Sequence, residues 1–349
     1  MRESKVAQDD ITREISSIMD YEFDGVTHFT PPKLTAPEDF SIGLIVGPSG
    51  SGKSTILSDM GGVESVEWDS GRAIASHFPT ANEAAKKMSA AGLNSVPDWL
   101  KPYHHLSTGQ KFRADLARQI KSGALVDEFT SVVDRTVAKS CSVALSRYVK
   151  SEGLKGVVLA TCHYDVLDWL CPDWVFDTAT GLLSRRGSER RPEINLEVLP
   201  SSPKAWGLFS EHHYLDANIN SGSLCWIAEW EGKPVGFTSA LAMPSGSLEN
   251  AWRGHRTVIL PEYQGMGFGV RLSDSVGEMM LQIGRRFFSK TAHPRMGEYR
   301  NRSPLWKPTS KNGVMRPDYL IGNDKKFSAE HKQAHAGRVC YSHEYIGKC

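Results

Sequence analysis

Along the chain, short apolar runs alternate with segments that carry a helical repeat. Ser41-Ile-Gly-Leu-Ile-Val46 has the length and composition of a buried parallel strand, and shorter runs of the same kind recur at Val157 to Ala160 and Trp174 to Phe176. Segments with helical spacing, such as Phe112 to Ile120, lie between them. Strands alternating with helices predict an α/β domain with a parallel sheet. The pattern breaks at GLLSRRGSERRPEIN, which has no apolar face to bury, so residues 185–193 read as an interdomain linker. Beyond it, Leu224 to Trp230 and Val235 to Met243 flank Glu231-Gly232-Lys233-Pro234 and predict a β-hairpin. A strand ending at Val258-Ile259-Leu260 follows, then a helix from about Gly265 with apolar residues at 268, 272, 276, 279 and 283. The expected division is a first domain over 1–184, the linker, a second domain over 194–306 and a basic C-terminal extension over 307–349.

Composition narrows the class. At 349 residues, 40% hydrophobic and 23% charged, the chain suits two soluble globular domains. No apolar run reaches the roughly 18 residues of a membrane span, and the polar start MRESKVAQDD lacks a signal-peptide layout. A cytoplasmic location without membrane attachment is therefore expected, and six scattered cysteines suit reduced thiols there. The net charge of +1 hides an asymmetry: from Arg285 onward there are 14 Lys and Arg against 5 Asp and Glu, or +9, leaving −8 for the rest. That end is a candidate surface for an anionic partner.

Chemistry enters with Gly47-Pro48-Ser49-Gly50-Ser51-Gly52-Lys53-Ser54-Thr55, which fits G-x-x-x-x-G-K-[ST] between a strand and a segment able to form a helix. Glycines let backbone N–H groups surround phosphate oxygens, Lys53 brings a point charge, and Ser54 offers a hydroxyl to Mg²⁺. Leu106-Ser107-Thr108-Gly109-Gln110 follows, then Asp127-Glu128 after an apolar run, Ser131-Val-Val-Asp134, and His163. In that order these motifs resemble the ATP-binding cassette (ABC) ATPases: phosphate loop, signature, acidic strand end, D-loop and switch histidine. The resemblance implies that Asp127 helps hold Mg²⁺, that Glu128 is the general base on the attacking water, and that His163 contacts the γ-phosphate. It further implies a head-to-tail homodimer in which Ser107, Gly109 and Gln110 face the nucleotide of the second subunit. Tyr21 or Phe23 is placed to stack on adenine or to serve as core. Thr108 departs from the usual glycine, and only 53 positions separate Lys53 from Leu106, with no glutamine fitting the Q-loop. That shortening points to a soluble ATPase of the kind used on nucleic acids or in assemblies.

In the second domain, Gln264-Gly265-Met266-Gly267-Phe268-Gly269 fits Q-x-x-G-x-G between a strand and an amphipathic helix. The hairpin before it, a strand at Phe287 to Thr291 and Tyr299 after it complete a series of elements that resembles the α+β GNAT acetyltransferase fold, from about Asn195 to Trp306. The resemblance implies that acetyl-CoA, or another acyl-CoA, sets its pyrophosphate on the helix N-terminus and its pantetheine arm along Val258 to Leu260. Tyr299 is the candidate acid for the leaving thiolate and His255 the candidate base for the attacking amine, each set against a packing or surface role. His212 and His213 are candidates for the acceptor side. In the basic end, aromatics including Trp306, Tyr319, Phe327, Tyr341 and Tyr345 are interleaved with cations such as Lys325 and Lys326, a pattern suited to phosphates and unpaired bases. His331, His335, Cys340 and His343 have the residue types of a zinc site, in a spacing that fits no standard module.

Together the halves resemble proteins in which a cassette-type ATPase is joined to an acetyltransferase domain, and the second half is loosely similar to Mom-like acetyltransferase-fold enzymes that modify DNA bases. The expected function is an ATP-hydrolysing acyl-CoA-dependent N-acyltransferase acting on nucleic acid. The alternatives are a protein or small-amine acetyltransferase with a regulatory ATPase half, and a non-catalytic, nucleotide-switched DNA-binding or assembly factor.

Overall fold

The computed structural model describes residues 2–186, 190–213, 218–244, 247–315 and 339–347, and the chain divides into two compact units at Pro192/Glu193. In the first unit, β1 (Arg2–Lys5) and β2 (Val26–Phe29) pair antiparallel around α1 (Asp10–Ile18). The main sheet is built from β3 (Ile42–Val46), β4 (Leu125–Val126), β5 (Val157–Thr161), β6 (Trp174–Asp177) and β7 (Leu182–Arg185), in the order β4-β5-β3-β6-β7. Its first four strands are parallel and only the edge pair β6–β7 is antiparallel. β3 and most of β5 and β6 are apolar because both faces are covered. Ile42, Leu44 and Val46 enter one core with α3 (Ala81–Ala90), α5 (Thr108–Gln119) and α6 (Arg135–Ser151), while Ile45 packs with Ile56 and Leu57 of α2 (Lys53–Asp59) in the other. Two short helices, α4 (Val96–Trp99) and α7 (Leu167–Leu170), complete the unit.

The second unit holds an eight-stranded sheet in which β13, β15, β12, β11, β10, β9 and β8 lie side by side in that order and β14 pairs with β15. Its elements are β8 (Glu197–Ser201), β9 (Leu224–Trp230), β10 (Lys233–Ala242), β11 (Ala251–Ile259), α8 (Phe268–Gln282), β12 (Arg286–Thr291), α9 (Pro294–Arg302), β13 (Trp306–Pro308), β14 (Val314–Met315) and β15 (Val339–Tyr345). The expected hairpin is β9–β10, and the expected helix is α8, which buries Phe268, Leu272, Val276 and Met280 while Ile283 is exposed.

Two expectations need correction. The region expected as an appended extension, 307–349, contributes a strand to the sheet itself: β15 lies between β12 and β13, pairing with both. The linker is also shorter than the composition suggests. Arg185 ends β7, and Arg191 is tied to the first unit, donating through Nε to the Trp169 carbonyl (2.9 Å) and through Nη2 to Ser146 Oγ (2.7 Å). Among the described residues no helix is long and apolar enough to cross a membrane.

Candidate functional sites in the two units

In a parallel sheet the carboxyl ends of neighbouring strands share one edge, where ligands of α/β folds gather. The order β4-β5-β3-β6 therefore brings together Asp127 and Glu128 after β4, His163 after β5, the phosphate loop after β3 and Thr178 after β6. The loop has the backbone its role requires, with φ of +147° at Gly47, +75° at Gly50 and +93° at Gly52. At Gly47 a Cβ would lie 1.9 Å from Thr178 Oγ1, so only glycine fits. Thr178, which belongs to none of the sequence motifs, holds the loop: its hydroxyl donates to the Val46 carbonyl (3.0 Å) and pairs with Ser51 Oγ (2.6 Å). Its signal was position at a strand end rather than any motif. Lys53 Nζ donates to the Gly47 and Pro48 carbonyls (2.8 and 2.6 Å), while Ser49 and Gly50 lie at the open crest of the loop. Ser54 and Thr55 open α2, whose N-cap, Gly52, brings no side-chain hydrogen bond and leaves the first amides available to phosphate.

The acidic turn is strained. Glu128 has φ +50° and Thr130 φ +65°, conformations that cost a non-glycine residue about 1–2 kcal/mol each. Asp127 Oδ1 accepts from the Glu128 amide (2.8 Å). The Asp127 carboxylate and the Ser54 hydroxyl are hard oxygen donors of the kind that suits Mg²⁺. His163 has its pKa lowered by burial and then by the Arg135 guanidinium, Asp165 acting in the opposite sense. It is therefore a neutral hydrogen-bonding group at pH 7.

The signature forms a capping box: Ser107 Oγ accepts from the Gln110 amide (3.4 Å), and Gln110 Oε1 accepts from the Ser107 amide (2.9 Å). Gln110 Nε2 also donates to Asp98 Oδ2 (2.8 Å), so that side chain already has partners within its own unit. Gly109 allows α5 to approach the D-loop, because a Cβ there would sit 3.2 Å from Val133 Cγ1 and 3.3 Å from the Val132 carbonyl. Tyr21 and Phe23 line a shallow depression beside α1. The ring against the phosphate loop is Phe29, whose Cζ lies 2.8 Å from where a Cβ on Gly52 would stand. Phe29 is thus an aromatic beside the loop that no local pattern signalled.

In the second unit, β11 pairs with β12 in parallel only from Ala251 to Arg253, although β12 continues to Thr291, so the two strands part. A shift in the β10–β11 register skips His255 and places it at a bulge beside that parting. Val258 pairs with Phe237, and the Leu260 amide donates to the Val235 carbonyl (3.0 Å). Gln264 Nε2 donates to the Ile259 carbonyl (2.7 Å). Gly265 and Gly267 adopt φ of +90° and +87°, and Gly267 caps α8 without a side-chain hydrogen bond. Gly269 lies with Ile259 and Met296 within van der Waals reach of a Cβ there. An uncapped helix N-terminus beside a strand with an unpaired edge fits the pyrophosphate and amide-bearing arm of coenzyme A.

Tyr299 differs from the free acid expected. Its hydroxyl donates to Asp274 Oδ2, and Trp306 Nε1 donates to Oδ1 of the same carboxylate (2.7 Å). Burial first, and then Asp274, raise its pKa, which makes it a poorer proton donor. His213 packs edge-on against Trp206, and His212 lies 3.4 Å from Glu211. Of the four zinc candidates, His331 and His335 lie outside the described residues, as do Lys325, Lys326, Tyr319 and Phe327. Cys340 and His343 stand three positions apart on β15, hence on opposite faces, and His343 Nε2 is bonded to Asn301 Oδ1 (2.8 Å). No metal-holding group of His, Cys, Asp and Glu occurs among the described residues.

Comparison with known proteins agrees on the second unit: residues 192–295 match the family model described as Acetyltransferase (GNAT) family. No curated protein matches the chain. Among solved structures, the chain is similar to the IAA acetyltransferase from Bacillus cereus (13% identity over 43% of this chain and 99% of that one, TM-score 0.31). It is also similar to a Bacillus subtilis acetyltransferase in complex with CoA (12% identity, 45% and 100%, TM-score 0.30). A third likeness is to cbiO1 of Clostridium perfringens, part of an ABC transporter complex (20% identity, 42% and 77%, TM-score 0.32).

Proposed function

From a chain that carries a GNAT acetyltransferase domain over residues 192–295, we propose an ATP-hydrolysing, acyl-CoA-dependent N-acyltransferase whose acceptor is an amine on nucleic acid. One observation carries the reading. Two helix N-termini, α2 after Gly52 (φ +93°, ψ 12°) and α8 after Gly267 (φ +87°, ψ 12°), have the same left-handed glycine cap and no capping side chain. Each is suited to a phosphate group. The first stands among Lys53, Asp127, Glu128 and His163, a set suited to activating water on a nucleoside triphosphate. The second stands beside the parting of β11 and β12. There an amine would attack the thioester carbon, the C–S bond would break, the thiolate would leave with coenzyme A, and the amine proton would pass to a base. The +9 charge from Arg285 onward supports a polyanion as acceptor. ATP hydrolysis would drive the opening or repositioning of that polymer.

One observation favours a second reading. With the Tyr299 hydroxyl held by Asp274, the thiolate has no assigned proton donor, as expected of a nucleotide-switched factor that binds without transferring. The proposed function predicts ATP hydrolysis that rises severalfold when nucleic acid is added and is lost in Lys53→Ala. Hydrolysis that is equal with and without nucleic acid would contradict it.

A further inference from the structure

We propose that the face of the C-terminal sheet opposite α8 and α9 is a platform for single-stranded nucleic acid, with Phe288 as its stacking residue. The proposal rests on the nucleic-acid reading above and names the form of polymer and where it lies. Strand register fixes which residues share that face. Arg253 stands beside Phe288, Phe288 beside Glu344, and Glu344 beside Lys307, while Lys290 is two residues on from Phe288. Residues opposite one another, or two apart along a strand, point to the same side. The other side is closed by the helices. Tyr345 lies against Gly277 of α8 and Tyr341 against Gly297 of α9, each where a Cβ would collide with the ring.

Phe237 and Val258 share this face and are covered by Trp206 and Phe209, so its open part is the stretch from Arg253 on β11 across to Lys307 on β13, and the chemistry there is specific. Glu344, its one acid among these residues, is neutralised by Arg286, which donates through Nε (2.7 Å) and Nη2 (2.9 Å). Arg253, Lys290 and Lys307 are exposed, and none has a carboxylate partner among the described residues. Among the described residues these three cations therefore remain without a carboxylate. They are spread from β11 to β13, about 14 Å at the usual strand spacing. Between them Phe288 is half-buried, its ring faced by the Arg286 guanidinium at 5.1 Å. An aromatic flanked by cations on a sheet face can stack an unpaired base while the cations meet its phosphates; a duplex, its bases already stacked, gains only the second interaction. Arg253 immediately precedes the parting of β11 and β12, so a strand lying on this face passes the acyl-transfer cleft.

The test uses the full chain and a fluorescein-labelled oligothymidylate, followed by anisotropy between about 50 and 200 mM salt. Phe288→Ala should weaken binding about fivefold or more without changing the salt slope, and Phe288→Trp should preserve binding. Lys290→Gln with Lys307→Gln should lower the salt slope by about 1.4, at roughly 0.7 per neutralised phosphate on a single strand. The platform is overturned if the wild type binds the oligonucleotide and both the tryptophan-rescued position and the paired lysines prove silent. The nucleic-acid reading would survive that result, the polymer being held elsewhere. If the wild type binds neither single nor double strands, both fall. Equal binding of polyglutamate, unaffected by Phe288→Ala, would also overturn the platform.

Discussion

Tyr299 and His343 both carry groups that chemistry might use, and their partners decide what each does. The Tyr299 hydroxyl joins α9 to α8 through Asp274. Tyr299→Phe is therefore expected to cost about 1 kcal/mol of stability while leaving acyl transfer within tenfold of wild type. A loss of about 10²-fold or more would restore it as the acid. His343 is fully buried, and burial, followed by the Arg300 guanidinium, lowers its pKa. In the unfolded chain it titrates at about 6.5. Below that pH the unfolded state takes up a proton that the folded state does not, so stability falls as the pH falls. Urea unfolding of the C-terminal unit should show a smaller loss between neutral pH and about pH 5.5 in His343→Gln than in the wild type. An unchanged pH slope would exclude His343 as its source.

At the scale of elements, β15 joins the two helices to the sheet. Its tyrosines lie on helix backbone, with Tyr341 Cγ 2.0 Å from a Cβ placed on Gly297 and Tyr345 Cγ 2.5 Å from one on Gly277. Gly297→Ala should destabilise the second unit by about 1–3 kcal/mol, the usual range for overpacking, as read from its denaturant midpoint. No change would mean that β15 does not pack as described. This strand was also the element hardest to foresee. VCYSHEY mixes polar and apolar residues on both faces, and its partners, β12 and β13, precede residues 309–338 in the chain. Nothing local marks such a pairing. The hairpin β9–β10 and the helix α8 were legible because period and turn residues lie within the segment itself. The sites divide in the same way. Both glycine loops declare themselves through local backbone demands, whereas Phe29 and Thr178 reach the phosphate loop from elements distant in sequence.

Each unit of the whole molecule carries a glycine-capped helix N-terminus, α2 in the first and α8 in the second, proposed above as the nucleotide site and the acyl-CoA site. If the first works as the cassette motifs imply, Glu128→Gln should bind ATP without hydrolysing it and accumulate as an ATP-dependent dimer in sedimentation. A monomer with ATP bound would contradict that arrangement. The claim that unites the halves is the identity of the acceptor. Labelled acetyl-CoA and ATP, incubated with the full chain and separate pools of single-stranded nucleic acid, protein and polyamine, test it directly. Label is expected in the nucleic-acid pool, sensitive to Lys53→Ala. Label in protein or polyamine alone, or in no pool, would contradict it.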